Sequence, residues 1–259
     1  MTGRVSANRM RLFNTVRNLV LVVAGVYCLV LLGCAVTQRS MLYYPSHHGE
    51  SGRLSRWTLK GALIGYAREV PSPRTVWFLL HGNAGQAEDR AYALHCFPDT
   101  DSVFVLEYPG YGSQSGHPSK DNFNAAAAIG YQLLRATFPN TPVCVAGESI
   151  GSGPACFLAS QPVPPDKIAL VVPFDTLASV ASEHLPYLPV RWLLRDNWDN
   201  TAALSAYRGP VEIFGAQNDT VIPVRHAKHL ADSHPGAVFH LIPGGHNDWS
   251  SGGEVRFVR

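Results

Sequence analysis

The sequence is poor in the features that mark several common functions. Its five cysteines, at 28, 34, 96, 144 and 156, are odd in number and form no C-x-x-C pair. That argues against a disulfide framework and against structural zinc. Cys144 and Cys156 read instead as small buried side chains. Charge of either sign is scarce: 21 Lys+Arg against 19 Asp+Glu leave a net +2. No long basic run follows the N-terminus, so nucleic acid is not an expected partner. There is no glycine-rich dinucleotide motif, P-loop or metal-ligand pattern, and no cofactor or metal is expected. Repeats and low-complexity segments are also missing. The adjacent His47 and His48 cannot build a metal site alone and read as linker residues.

Acid is absent from residues 1–18, which carry Arg4, Arg9, Arg11 and Arg17. The uncharged run LVLVVAGVYCLVLLGCAV, Leu19 to Val36, follows. As a helix it would rise about 27 Å, enough for a hydrocarbon core. Positive charge ahead of it favours a cytoplasmic N-terminus and an exported remainder, so the following domain is expected on the extracytoplasmic side. The run reads as a signal anchor, as a lipoprotein signal with Cys34 lipidated after LLGC, or as a simple secretion signal. The expected organisation is a basic region (1–18), the membrane segment (19–36), a linker (37–55) and one catalytic domain (56–259).

That domain alternates strand-like and helix-like runs. RWTLK, ALIGYARE, TVWFLLHG, SVFVLEYPGYG, PVCVAGES, KIALVVPFDT, PVEIFGAQND and AVFHLIPGGH read as strands. AEDRAYALHCF, SKDNFNAAAAIGYQLLRATF with Ser119 as N-cap, SGPACFLASQ and PVRHAKHLADSH read as helices. The expectation is an α/β fold: a mainly parallel sheet, helices on both faces, and ligands at the strands' carboxyl ends.

Gly147-Glu148-Ser149-Ile150-Gly151 fits G-x-S-x-G, with a strand before it and a helix after it. A nucleophilic serine on a sharp strand-to-helix turn needs that context. Such a serine also needs a base held by an acid. Asp219 and His246 each follow a predicted strand, which puts both on the serine's side of the sheet. Asp175 is the second choice of acid and Asp248 a poorer one. Backbone N–H groups of Ile150 and of Asn83, in the loop after TVWFLLHG, are the expected oxyanion donors. His81 reads as a structural hydrogen-bonding residue. His226, His229 and His234 read as a solvated helix face. Leu177 to Tyr207, with Leu185, Tyr187, Leu188, Val190, Trp192, Leu193, Leu194 and Trp198, reads as a minimal cap or apolar wall suited to an acyl chain.

HGNAG, YPGYGSQSGHPS, GESIG, PFDTLASVASEHLPYLPVRWLLRDNWD, GAQNDTVIP and PGGHND, with QRSMLYYPS ahead of them, resemble one known group. It is the Bem46-like branch, with the ABHD13- and ABHD17-like serine hydrolases, of the α/β-hydrolase superfamily. The resemblance runs from Gln38 over nearly the whole chain. It implies the α/β-hydrolase fold, Ser149, Asp219 and His246 in the triad positions, and ester or thioester substrates. Eukaryotic relatives include protein depalmitoylases. Two departures stand out: family members often carry Ser or Thr at the position of Asp175, and the chain stops thirteen residues after His246, so the final helix is expected to be short or missing. The expected activity is that of a membrane-attached carboxylesterase or thioesterase. The rivals are an inactive binding module and a serine peptidase of the same fold.

Overall fold

Eight short apolar runs pair into one sheet in the computed structural model, which describes residues 2–259 and the side chains from Asn8 onward. The strands are β1 (Ser55–Leu59), β2 (Ala62–Arg68), β3 (Val76–Leu80), β4 (Ser102–Leu106), β5 (Val143–Glu148), β6 (Ile168–Val171), β7 (Val211–Ala216) and β8 (Val238–Ile242). Their order across the sheet is β1-β2-β4-β3-β5-β6-β7-β8. β2 runs antiparallel to both neighbours, and from β4 to β8 every pair is parallel. Every residue of β3, β4, β5 and β6 is buried. Strands covered on both faces are nearly continuously apolar, as these are apart from Ser102 and Glu148 at strand ends.

The helices are α1 (Thr2–Leu42), α2 (Lys120–Thr137), α3 (Ser152–Phe157), α4 (Leu177–His184), α5 (Val190–Leu193), α6 (Asn200–Leu204) and α7 (Arg225–Ser233). α2 starts where Ser119 Oγ accepts the Asn122 N–H at 3.2 Å, the ordinary N-cap bond. Its residues Phe123, Ala127, Tyr131 and Leu134 recur at helical spacing and enter the core on one face of the sheet, with α3 and α7. The other face is covered differently. Residues 87–96, read from sequence as a helix, form a 3-10 helix. Side-chain anchors explain the departure: Glu88 accepts Ser51 and Arg53 N–H groups, and Arg90 reaches the Ala84 carbonyl. Among the described residues no helix follows β8. Phe257 instead stacks on Phe97 at 4.4 Å, and Trp249 and Val255 join the same cluster.

α1 is one continuous helix, longer than the apolar run read from sequence. Asn8–Leu42 is long and apolar enough to cross a membrane, and none of its most apolar window is buried in the protein. Its C-terminal turns are bound to the segment between β6 and β7. Arg39 Nε donates to Asp196 at 2.8 Å, Tyr43 Oη to the same carboxylate at 3.1 Å, and Gln38 pairs with the Leu193 carbonyl and the Arg195 N–H. These bonds order Thr37–Leu42, which sequence reading assigned to the linker.

Candidate active site

Ser149 stands at the end of β5, where the chain turns into a 3-10 turn and then α3. Its φ is +52°, in the left-handed region that L side chains avoid. The turn is tight on both sides. A Cβ on Gly147 would lie 2.8 Å from the Ala155 Cβ, and one on Gly151 would lie 2.1 Å from the Leu80 carbonyl oxygen. Glycine at both positions is therefore a steric requirement.

The serine has company. His246 Nε2 lies 2.9 Å from Ser149 Oγ, and His246 Nδ1 lies 2.7 Å from Asp219 Oδ2. An ionised carboxylate only accepts, so Nδ1 carries the proton and Nε2 is left to accept from the serine hydroxyl. Asp219 is fixed from behind: its Oδ1 accepts the Val221 and Ile222 N–H groups at 2.8 and 2.7 Å. Asp248 shapes the His246 turn by accepting the Gly245 N–H at 2.8 Å. All three side chains reach the same end of the sheet because β5, β7 and β8 are parallel.

Asp175 is engaged elsewhere. Its two oxygens accept from His226 Nδ1 and His229 Nδ1, each at 2.8 Å. The solvated face expected for the α7 histidines is thus corrected. His226 and His234 are buried, at 4% and 5% exposure, and only His229 keeps an open side chain. Burial pushes the His234 pKa down. His81 is buried, and its Nδ1 donates to the Gly82 carbonyl at 2.7 Å.

The loop after β3 lies beside the serine and is held by groups that sequence reading missed. Glu148 precedes the nucleophile position and is buried. Its Oε2 accepts the Gly82 N–H and the Arg90 Nε–H, both at 2.9 Å. Arg90 also donates to the Gly82 and Ala84 carbonyls. Burial pushes the Glu148 carboxyl up, but the Arg90 guanidinium and the Gly82 N–H outweigh it, and the pKa lies below the usual carboxylate range. A clue was in the sequence: an acid at the end of an otherwise apolar strand must find a partner. The Asn83 side chain is also occupied. Oδ1 accepts from Tyr111 Oη and the Tyr44 N–H, and Nδ2 donates to the Leu42 carbonyl at the end of α1. Among the described residues no acceptor meets the Asn83 backbone N–H. Ile150 supplies one of the first-turn amides that a helix start leaves open.

Ser149, His246, Asn83 and Ile150 line a cleft of about 600 Å³, with Met41 and Leu42 of α1 and Leu177, Val180 and Leu185 of the β6–β7 segment on its walls. Cys34 lies half-buried within α1. The β6–β7 segment divides in two. Trp198 is core, its ring against Gly153 and its Nε1 donating to Asn124, whereas Tyr187 and Trp192 are 88% and 92% exposed. No group of three or more potential metal ligands occurs among the described residues.

No protein-family model matches the chain. It is 29% identical over 188 residues to the α/β hydrolase domain-containing protein aho-3 of Caenorhabditis elegans, covering 70% of this chain and 55% of that protein. It is 28% identical over 187 residues to the lysophosphatidylserine lipase ABHD12 of Danio rerio, covering 64% and 49%. The chain spans about half to three-fifths of the length of the curated relatives it matches first. The esterase Pf2001 of Pyrococcus furiosus superposes with a TM-score of 0.60 at 14% identity, over 80% of this chain and 95% of that one. An eight-stranded sheet in this order, a serine on a strained turn after β5, and relatives of this kind lead to one assignment: the chain has the α/β-hydrolase fold and is similar in sequence to α/β hydrolase domain-containing proteins.

Proposed function

We propose that the chain is a serine hydrolase that cleaves carboxylic ester or thioester bonds. The observation that carries the reading is the run of contacts from Asp219 through His246 to Ser149, with the serine backbone held at φ +52°. The names of the lipase and esterase relatives agree with it.

In this mechanism Ser149 Oγ attacks the substrate carbonyl carbon and its proton passes to His246 Nε2. Asp219 keeps the imidazole oriented and offsets the charge it gains. The oxyanion receives the N–H groups of Asn83 and Ile150. Collapse breaks the bond to the alcohol or thiol, which leaves with the proton from His246. Water then attacks the acyl-enzyme, gives its proton to His246, and Ser149 is regenerated with release of the carboxylic acid. Glu148 and Arg90 act through position: they fix the Gly82–Ala84 backbone against the serine turn.

The arginines ahead of the apolar run support an extracytoplasmic catalytic domain, and α1 supports its attachment to the membrane. Labelled fatty acid incorporated by wild type and lost in Cys34→Ala would mark a lipoprotein. An unprocessed chain indifferent to that substitution would mark a signal anchor.

A fluorophosphonate probe tests the nucleophile. Wild-type protein is expected to be labelled at Ser149, and Ser149→Ala to lose both the label and the hydrolysis of p-nitrophenyl esters. Labelling that persists in the alanine variant moves the nucleophile to another residue.

A further inference from the structure

Beside the catalytic cleft lies a second cavity, of about 180 Å³, between α1 and the β6–β7 segment. The two share Met41, Leu42, Ala181 and Leu185 as walls. They are therefore neighbours along one path. From Ser149 the path passes between the end of α1 and α4, then runs beside Cys34 toward Leu188, Leu193 and Leu194. Gln38 is the one polar residue on the outer part, and its side chain is occupied by the Leu193 carbonyl and the Arg195 N–H. A cavity so lined has nothing to offer a polar ligand and much to offer a hydrocarbon chain.

The outer part also lies beside the membrane segment. Tyr27 Oη donates to the Tyr187 carbonyl at 2.8 Å. Tyr27 is in the middle of the apolar run Leu19–Val36, which continues nine residues, or about 13 Å of helix, past it. The stretch Leu185-Pro186-Tyr187-Leu188-Pro189-Val190 carries no charge and its Tyr187 side chain is almost wholly exposed, as is Trp192 beyond the exposed Arg191. Because Tyr27 is in the middle of the span, this uncharged stretch lies at the depth of the acyl chains and is suited to them.

Resting on the serine hydrolase reading above, we infer that this groove holds the long acyl chain of a membrane lipid ester and admits it directly from the bilayer. α1 is then one wall of the substrate site as well as an attachment. An acyl chain moving from the bilayer along Leu188 and Leu193 to Met41 stays in apolar surroundings throughout. Its carbonyl then meets Ser149 at the inner end without the chain crossing water.

The test uses full-length protein in phosphatidylcholine vesicles and reads chain-length selectivity. The ratio of kcat/KM for p-nitrophenyl hexadecanoate to that for the butanoate is compared between wild type, Leu188→Trp and Leu193→Trp. Filling the outer groove is expected to lower this ratio at least about tenfold, on the scale of several lost methylene contacts. An unchanged ratio in both variants overturns the proposal. Binding is read separately in Ser149→Ala, without turnover, using a hexadecanoyl lysophospholipid with a photoreactive group in the chain. Crosslinks at Met41 and Leu42 that disappear on adding Leu193→Trp support the groove. Crosslinks confined to residues 19–33, or unaffected by Leu193→Trp, overturn it. Cleavage of an S-hexadecanoyl peptide but not of the lysophospholipid in the same vesicles overturns the lipid as occupant. A failed fluorophosphonate label would strike the serine hydrolase reading alone, because the crosslink needs no nucleophile.

Discussion

Two aspartates at the same end of the sheet each hold histidine Nδ1 atoms at nearly equal distances. Asp219 holds His246 at 2.7 Å, and Asp175 holds His226 and His229 at 2.8 Å. The difference lies at the far side of each ring. His246 Nε2 faces a serine hydroxyl at 2.9 Å in an open cleft. His226 Nε2 is buried and lies 3.2 Å from Oε1 of the exposed Glu183, without hydrogen-bond geometry, where α4 meets α7. A histidine–aspartate pair is thus not by itself catalytic equipment. It becomes so when a nucleophile and space for a substrate lie beyond it. The pair at Asp175 joins the β6–β7 segment to α7, and its place is in the packing.

Substitutions at matched positions can break this contrast. The largest effect is expected at the histidines. His246→Ala should lower kcat by about 10⁵- to 10⁶-fold, the scale on which a triad acts as a unit. His226→Ala should leave kcat/KM within about tenfold of wild type. Steady-state kinetics on a soluble short-chain ester reads both, and comparable losses would erase the distinction. Next come the acids. Asp219→Asn should cost about 10⁴-fold in kcat with little change in KM. Asp175→Asn should act on stability, by about 1–3 kcal/mol for buried partners left short of an acceptor, measured by urea unfolding. If the two exchanged behaviours, Asp175 would be the catalytic acid. The smallest effect is expected at His229, whose side chain is 65% exposed. His229→Ala should shift stability by no more than about 1 kcal/mol, and a larger shift would mean that His229, not His226, carries the contact.

The contrast also shows what the sequence made legible. Ser149, Asp219 and His246 each follow a run of apolar residues, and a parallel sheet brings such strand ends together. Their approach could be read from strand pattern alone. The Asp175 cluster could not. His226 and His229 sit three apart on one helix, which looks like a polar face turned to water, and the acid that binds them is 51 and 54 residues away in sequence. Residues 87–96 carried a helical pattern, but Glu88 and Arg90 bind to neighbouring loops and the backbone tightens to 3-10 geometry. The extension of α1 to Leu42 was hidden for a related reason. Gln38 and Arg39 look like linker residues until Leu193, Arg195 and Asp196 are placed opposite them. In each case tertiary partners overrode a local pattern.

If Ser149 is the nucleophile proposed above, its backbone puts function and durability in opposition. A left-handed φ at a residue with a Cβ costs about 1–3 kcal/mol, which the rest of the fold must supply. Glycine has no such penalty. Ser149→Gly should therefore melt at a higher temperature than wild type while hydrolysing nothing. On the serine hydrolase reading, the hydroxyl at this position is kept at the expense of thermal endurance.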